Sequence, residues 1–153
     1  MVSGYMMKRA NGFTTIELVT VVGILGILAA VAVPNIAGQM PRYRLNGAAR
    51  QVMSDLMWVR MQAVSQRNKF KIFFLNDHKY KILDDDDNDG TADSGEWSVT
   101  RNIRAQYHDV TLGLTGNPIF FPRGSANPAT ITLSNCGGSK AVKIHITGRV
   151  KIG

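Results

Sequence analysis

The feature that most constrains this fold is a largely apolar run near the amino terminus, Phe13–Val33, in which Glu17 is the only charged residue. About 20 apolar residues in a helix cross the hydrocarbon core of a bilayer. The run therefore predicts a transmembrane helix over residues 13–33. Lys8 and Arg9 precede it, and by the positive-inside rule we expect them to stay in the cytoplasm.

The carboxylate of Glu17 needs a physical explanation. A charged side chain inside a span costs about 2.5–3.5 kcal/mol on insertion scales and usually has a function. One interpretation is that Glu17 reaches the headgroups near the end of the span, and another is that it meets an opposite charge in an assembly. A different alternative is a secretory signal peptide cut after the small residues Ala30-Val31-Ala32. The run is long for such a signal, and Glu17 would weaken it.

The motif around this carboxylate points to a family. Gly12-Phe13-Thr14-Thr15-Ile16-Glu17-Leu18, with a basic leader before it and the apolar run and Pro34 after it, resembles the amino-terminal signature of type IV pilins and type II secretion pseudopilins. The resemblance implies that a prepilin peptidase removes residues 1–12 by cutting after Gly12, and that it methylates the new amino terminus at Phe13. It also implies other pilin subunits and an inner-membrane assembly platform as partners. The expected location is the bacterial inner membrane, crossed once, with the carboxyl-terminal head in the periplasm.

Cleavage of this kind would create a partner for Glu17. The new amine at Phe13 of one subunit could pair with Glu17 of a neighbour inside an apolar helix bundle. A buried carboxylate that has lost its partner is strongly destabilising, so this pairing would favour one register of assembly. We therefore assign Phe13, Glu17 and Pro34 to assembly, and interpret the span as an anchor before assembly and a filament core after it.

Beyond the span, helical periodicity continues. Pro34 lacks an N–H and clashes with the preceding turn, so we expect it to kink or locally melt the helix. Apolar residues then recur at steps of three and four, which predicts one buried face. These residues are Leu45, Ala48, Val52, Leu56, Val59 and Ala63. The pattern predicts one long helix over residues 13–67.

From residue 68 the pattern changes to a period of two, which is typical of strands. The strands predicted are Lys69–Leu75, Lys79–Leu83, Trp97–Ile103, Gln106–Leu112, Ala129–Leu133 and Ala141–Ile152. Gly148 falls on the apolar parity of the last run and predicts a bulge or a close backbone approach. The fold class predicted is α+β, with a long amino-terminal helix packed on a mostly antiparallel β head, residues 68–153.

Two short motifs in the head resemble the GspH/FimT subgroup of pseudopilins and minor pilins: Phe121-Pro122-Arg123-Gly124 and Gly148-Arg149-Val150-Lys151. Some members of that subgroup bind DNA through a carboxyl-terminal Gly-Arg-x-Arg. Lys151 replaces the last arginine here and lacks its bidentate fork. A DNA-binding minor pilin for DNA uptake is nevertheless the alternative function, with salt-sensitive phosphate contacts. The candidate contacts are Arg123, Lys143, Arg149 and Lys151; the other interpretation is a solvated basic surface.

An acidic block interrupts the otherwise basic head. The formal charge of the chain is +7, yet seven of its eleven acidic residues lie within residues 84–96. From Asp85 the block fits the calcium-loop template D-x-D-x-D-G-x5-E, in which alternate carboxylates surround one cation and a glycine permits the turn. The predicted ligands are Asp85, Asp87, Asp89, the Thr91 carbonyl, a water held by Asp93, and Glu96. The flanks are strands, so this would be an isolated calcium loop; the alternative is a solvated acidic turn.

No motif for catalysis emerges from the sequence. It contains no nucleophile elbow, phosphate loop or metal-hydrolase spacing, and its three histidines stand alone. The single cysteine, Cys136, offers neither an internal disulfide nor metal-ligand spacing. We therefore expect a structural subunit and not an enzyme. The sequence leaves open whether its filament belongs to a type II secretion system or to a type IV pilus.

Overall fold

The computed structural model describes residues 12–87 and 95–153, without the side chains of Pro34 and Asn35. The leader before Gly12 and the middle of the acidic block therefore lie outside the described residues. The chain divides into a first unit that ends at Gly38 and a second unit, Gln39–Gly153. Helix α1, Thr15–Gln66, contributes residues to both units.

Helix α1 begins and ends where local chemistry predicts. The Glu17 amide donates a hydrogen bond to the hydroxyl of Thr14 (3.3 Å), so Thr14 caps the helix and Glu17 stands three residues later, as in a capping box. At the other end Arg67 adopts φ 62°, a left-handed conformation that commonly terminates helices. The sequence analysis predicted a helix over residues 13–67, and α1 spans Thr15–Gln66.

The expected interruption at Pro34 was wrong as far as melting is concerned, because α1 continues through this position. A proline removes one N–H from the helical ladder. The hydrogen bonds of the flanking turns remain, and they are enough to keep the segment helical.

The described residues of the head form two antiparallel four-stranded sheets. The first sheet has the order β3-β2-β1-β5 and the second has the order β4-β6-β7-β8. The strands are β1 Lys69–Asn76, β2 Lys79–Asp85, β3 Ser98–Asn102, β4 Thr111–Leu114, β5 Ile119–Phe120, β6 Ala129–Asn135, β7 Gly138–Ile144 and β8 Val150–Ile152. The β1–β2 pair is a tight hairpin in which Phe74 faces Tyr80 and Ile72 faces Ile82.

Two strand predictions were wrong in their limits. The predicted strand Gln106–Leu112 is a series of turns followed by β4, with the Tyr107 amide bonded to the Ile103 carbonyl at 2.8 Å. Ile103 and Val110 are both fully buried on either side of these turns. They are therefore anchors for a loop, although their spacing resembles that of a strand. Strand β5 was not predicted, because two residues carry no periodic signal.

The predicted strand Ala141–Ile152 is a hairpin. A tight turn separates β7 from β8, closed by bonds from the Gly148 amide to the His145 carbonyl (2.8 Å) and from the His145 amide to the Arg149 carbonyl (2.9 Å). Ile146, which follows the apolar parity, is 70% exposed at the tip of this turn. The regular alternation of the run therefore concealed a reversal of the chain.

One core joins the helix to both sheets. All six residues of the predicted apolar helix face are buried, as are Phe70, Ile72, Tyr80 and Ile82 from the first sheet. The second sheet contributes Ile131, Leu133, Val142, Ile144 and Val150. The prediction that the amphipathic half of α1 packs on the head is therefore confirmed.

Three polar side chains, those of Asp55, Tyr80 and Arg101, form a cluster where helix α1 packs on the first sheet. The Tyr80 hydroxyl donates a hydrogen bond to the Asp55 carboxylate, and the Arg101 Nε lies 3.9 Å from the same carboxylate. Burial, followed by the bond to Asp55, raises the pKa of Tyr80 above its ordinary value of 10.0. The cluster links α1 to β2 and β3. The Tyr80 hydroxyl has its partner in Asp55, as a buried polar group requires, whereas the Arg101 Nε has the ion pair with Asp55 but no hydrogen-bond partner among the described residues.

We expect Tyr80→Phe to lower the free energy of unfolding by about 1–3 kcal/mol near pH 7, because it leaves Asp55 without its hydroxyl donor. The folded-state pKa of Tyr80 is raised, so its contribution is complete below the unfolded pKa of about 10 and is lost as pH rises further. Urea unfolding at neutral pH and above pH ~10 measures both effects. Tyr43→Phe, at an exposed position, is the control. Equal alkaline loss of stability in wild type and Tyr80→Phe would contradict this role.

Candidate functional site

The first candidate site is the amino-terminal segment. Residues 15–33 form the part of α1 that is long and apolar enough to cross a membrane, with a mean hydropathy of 2.6, and none of it is buried in the single chain. Phe13 precedes the helix and is exposed. Glu17 lies in the first helical turn and is also exposed. Among the described residues of one chain, Glu17 has no ion-pair partner. The segment thus presents an apolar surface that the chain itself does not cover, with one exposed carboxylate in its first turn.

The second site is formed by the two short motifs of the head, which the fold brings into contact. Gly148 and Gly124 both adopt left-handed conformations, with φ 72° and 78°. A Cβ on Gly148 would lie 1.9 Å from the Gly124 carbonyl oxygen. The same oxygen accepts a hydrogen bond from the Arg60 Nε of α1 at 2.9 Å. The two motif loops are therefore in contact at Gly124 and Gly148, and we call this contact the joint at Gly148. It is held by Arg60, which the sequence analysis did not single out.

Four exposed basic side chains lie in the two motifs or directly opposite one of them. Lys143 of β7 and Lys151 of β8 are directly opposite each other and both are exposed. Arg149 is exposed in the turn before β8, and Arg123 is exposed in the loop that packs on this turn. The structure thus brings Lys143 and Lys151 together, while Arg123 and Arg149 belong to the two contacting motifs. Like charges directly opposite each other on a sheet are unfavourable unless an anion or solvent compensates them.

The β6–β7 turn is fastened to the helix, a contact that the sequence did not predict. The Asn135 amide donates to the Pro41 carbonyl (2.8 Å) and to Asp109 (3.1 Å), and Asp109 pairs with the Arg44 Nε at 2.8 Å. Cys136 lies in this turn as a free, exposed thiol. The bonds hold the second sheet to the part of α1 that lies in the head.

The third site lies at the end of β2, where strand alternation separates the acidic residues. Asp85, Asp87 and Glu96 each offer an oxygen, and these oxygens lie within 4.8 Å of one another. Oxygens bound to one calcium ion at 2.3–2.6 Å are at most about 5 Å apart, so the three carboxylates fit such an ion. Lys69 lies opposite Asp85 in the β1–β2 ladder and would weaken the attraction. The other predicted ligands, Asp89, Thr91 and Asp93, lie outside the described residues.

Asp84 has the opposite parity and faces the helix side of the sheet, like Ile82 and Tyr80. It is buried, and the Asn68 amide donates to it at 3.3 Å and to Asp86 at 2.7 Å. Burial raises the pKa of Asp84, the Asn68 bond opposes that shift, and the neighbouring carboxylates add to it. The acidic block therefore supplies two chemically distinct sites, one on each side of β2.

Asp84 lines an open cleft of about 390 Å³ together with Trp58, Gln62, Gln66 and Trp97. We call this the tryptophan cleft. The Trp58 and Trp97 ring centroids are 5.9 Å apart with the rings tilted by 52°. The sequence analysis missed this site, although the four-residue spacing of Gln62 and Gln66 on the helix was a signal that they share a face.

Taken together, an apolar amino-terminal helix that continues into an amphipathic half packed on antiparallel sheets defines a pilin-like α+β protein. Within that class the chain belongs to the GspH family, because the family model described as type II transport protein GspH matches residues 48–148. This confirms the resemblance to pilin-like proteins of the GspH type. Pilins and pseudopilins are structural subunits, and the protein is not an enzyme.

The chain is also similar to individual proteins. It is 30% identical to the pilin-like protein PilA1 of Thermus thermophilus, over 93% of this chain and 97% of that protein. Its fold matches the type IV minor pilin FimU of Pseudomonas aeruginosa with a TM-score of 0.58 at 21% identity, covering 73% of this chain and 90% of FimU. It matches the minor pseudopilin EpsH of the Vibrio cholerae type 2 secretion system with a TM-score of 0.57 at 12% identity, covering 72% and 96%.

Proposed function

We propose that this chain is a minor pilin or pseudopilin subunit that assembles with other pilin-type subunits into a periplasmic filament. The filament would be that of a type II secretion system or a type IV pilus. The observation that carries the proposal is the exposed apolar segment Thr15–Val33 with Glu17 in its first turn. A surface of this kind must be covered by lipid or by other subunits, because exposed apolar area in water is unfavourable. Membership of the GspH family supports the same conclusion.

In this proposal the span first anchors the subunit in the bacterial inner membrane, with the head in the periplasm. A prepilin peptidase cuts after Gly12 and methylates Phe13, and an inner-membrane platform moves the subunit from lipid into the filament. The amine of Phe13 then faces Glu17 of a neighbour. Each carries a charge that the low-dielectric interior disfavours when alone, so the pair stabilises one register of packing.

Recovery of the chain in filaments tests this function. The chain would be tagged at its carboxyl terminus in its own host, and filaments sheared from the cells or released from membranes would be examined by immunoblot. We expect the mature chain at low abundance beside a major pilin-type subunit. Its presence only in membranes, under conditions in which filaments form, would contradict the proposal.

We also propose that the acidic loop binds calcium through Asp85, Asp87 and Glu96, with Asp89, Thr91 and Asp93 completing the shell. The support is the mutual distance of the three described carboxylates and the bond of the Asp86 amide to Glu96 at 3.3 Å, which brings the two ends of the loop together. A calcium ion would neutralise carboxylates that otherwise repel one another. Its role would be to hold the end of β2 to the residues that precede β3, through Asp85, Asp87 and Glu96.

Calcium is therefore expected to raise the melting temperature of the chain, by about 4–8 °C if it supplies roughly 1 kcal/mol to a head of this size. The paired change Asp87→Ala and Glu96→Ala should abolish that rise. Asp77→Ala, which removes a carboxylate from the β1–β2 turn, should leave it intact. The proposal fails if calcium does not change the melting temperature of the wild-type chain.

A DNA-binding minor pilin for DNA uptake remains the alternative function, and the juxtaposition of Lys143 and Lys151 favours it. Such binding would be independent of sequence and would weaken steeply with salt. A gel shift over a salt series tests it: Arg149→Ala should weaken binding, whereas Arg104→Ala, at another exposed position, should not. Absence of binding at low salt, or equal effects of the two changes, would remove this alternative.

A further inference from the structure

The tryptophan cleft has a composition that none of the functions above explains. One wall is aromatic, with Trp97 48% exposed, and the rest is polar, with the amides of Gln62 and Gln66 and the carboxylate of Asp84. Large aromatic side chains left partly open beside polar groups are typical of surfaces that bind a partner.

The polar groups of the cleft are suited to accept hydrogen bonds. Asp84 is 6% exposed, and within the described part of the chain its side-chain hydrogen-bond donor is the Asn68 amide. Gln66 donates an N–H to the Gln62 Oε1 at 3.0 Å, which leaves the Gln66 carbonyl oxygen available as an acceptor. A ligand for this cleft must therefore bring N–H donors as well as a flat face for the tryptophans.

Charge selects among such ligands. Among the described residues, those that line the cleft include no lysine or arginine, although the chain has 18 of them. Asp84 continues into Asp85, Asp86 and Asp87. These carboxylates outnumber Lys69 of the facing strand, so the formal charge of this group of residues is negative. A cation is favoured here over a neutral or anionic ligand. Arginine combines a cation with a planar face that stacks on aromatic rings and with several N–H donors in one plane.

We propose that the tryptophan cleft receives an arginine side chain from a neighbouring pilin-type subunit. The guanidinium stacks on Trp97 and donates to Asp84 and to the Gln66 carbonyl. The inference rests on the proposed function, which supplies the neighbour, and on charge complementarity. Outside the acidic block this chain is strongly basic, and a head of the same kind would present such a side chain to the cleft. The contact would then orient one head against the next.

Fluorescence of the full-length chain in detergent micelles tests the inference directly. Trp58 and Trp97 are the only two tryptophans of the sequence, so their emission reports on this cleft alone. The probe is a short capped oligo-arginine peptide, and the matched ligand is the same peptide built from citrulline, which has the shape of arginine without its charge. Chelator is present throughout, so that calcium at Asp85 and Asp87 does not enter the result.

We expect a saturable change with the arginine peptide and binding weaker by about tenfold or more with the citrulline peptide, as for the loss of charge-assisted hydrogen bonds. Asp84→Asn should weaken arginine binding by a similar factor. Asp87→Asn, which removes the same charge on the other side of β2, should change it less than about twofold. Trp97→Leu, followed through Trp58, should weaken it by about 2- to 30-fold. Thermal melting confirms that each variant is folded.

Several outcomes would overturn the inference. They are no saturable response to arginine, equal affinity for citrulline, equal effects of Asp84→Asn and Asp87→Asn, or a response to a neutral saccharide without one to arginine. In cells, a photo-crosslinking residue at Trp97 should be joined to an arginine-containing segment of a pilin subunit. If the chain is recovered in filaments but shows neither arginine-peptide binding nor the crosslink, the inference alone fails. If the chain never enters filaments, the proposed function fails first.

Discussion

Changing Gly148 to alanine is expected to lower the free energy of unfolding by about 3 kcal/mol or more. The left-handed backbone, φ 72°, costs a residue with a Cβ roughly 1–2 kcal/mol. The new Cβ would also stand 1.9 Å from the Gly124 carbonyl oxygen and 2.8 Å from the Arg60 Nε. The two loops would have to separate, and the hydrogen bond from Arg60 to Gly124 would be lost with a further cost of about 1–3 kcal/mol.

Gly124→Ala is the matched control for this change. Its φ is 78°, so the backbone penalty is about the same, but a Cβ there would lie 3.4 Å from its nearest neighbour, Val64. We expect a loss of only about 1–2 kcal/mol. Urea unfolding of the two variants beside wild type measures the difference. Equal losses would contradict the contact between the two motif loops as the reason for Gly148.

Replacing Glu17 by glutamine is expected to keep the chain out of filaments while leaving it in the membrane. Glutamine keeps the size of the side chain and the first helical turn, so the span should insert at least as well without the charge. In the filament the amine of Phe13 would face a neutral side chain. Breaking a buried ion pair by removing one partner costs about 3–5 kcal/mol, which should reduce recovery in filaments by at least about tenfold.

Glu17→Asp and Thr14→Ala separate the charge from the helix cap. Aspartate keeps the charge and should retain part of the recovery. Thr14→Ala removes the hydroxyl that caps α1 and should cost the helix about 1 kcal/mol without excluding the chain from filaments. Immunoblots of membranes and sheared filaments measure all three variants. Wild-type recovery of Glu17→Gln would contradict the pairing with Phe13.

The parts of this fold that the sequence predicts are those in which one periodicity runs without a break. The six apolar positions from Leu45 to Ala63 repeat over several turns of α1, and the alternation of β1 and β2 fixes which face meets the helix. The run Ala141–Ile152 misled because a turn of suitable length preserved the parity of Val142, Ile144 and Val150 across a chain reversal. Hydrophobic periodicity indicates which face of a strand is buried, but it does not indicate whether the chain continues in the same direction.

The candidate sites likewise divide into those that a continuous stretch of sequence predicts and those that only the fold brings together. The amino-terminal signature is a linear motif, so roles for Gly12, Phe13 and Glu17 could be predicted from the sequence directly. The tryptophan cleft unites Trp58 of the helix with Trp97, the residue before β3, and the joint at Gly148 unites three segments of the chain. Such sites depend on tertiary packing that no local pattern encodes. The calcium template is intermediate. It predicts three carboxylates that the structure brings close together, but it does not predict that Asp84, on the opposite face of β2 from Asp85, belongs to a different site.

The central claim is that processing at Gly12 creates the charge that Glu17 meets in the assembled state. Mass spectrometry of the chain purified from its host tests it most directly. The account predicts a mature chain that begins at N-methylated Phe13. A chain that begins at Val33, or one that keeps residues 1–12 in cells with an active prepilin peptidase, would contradict it.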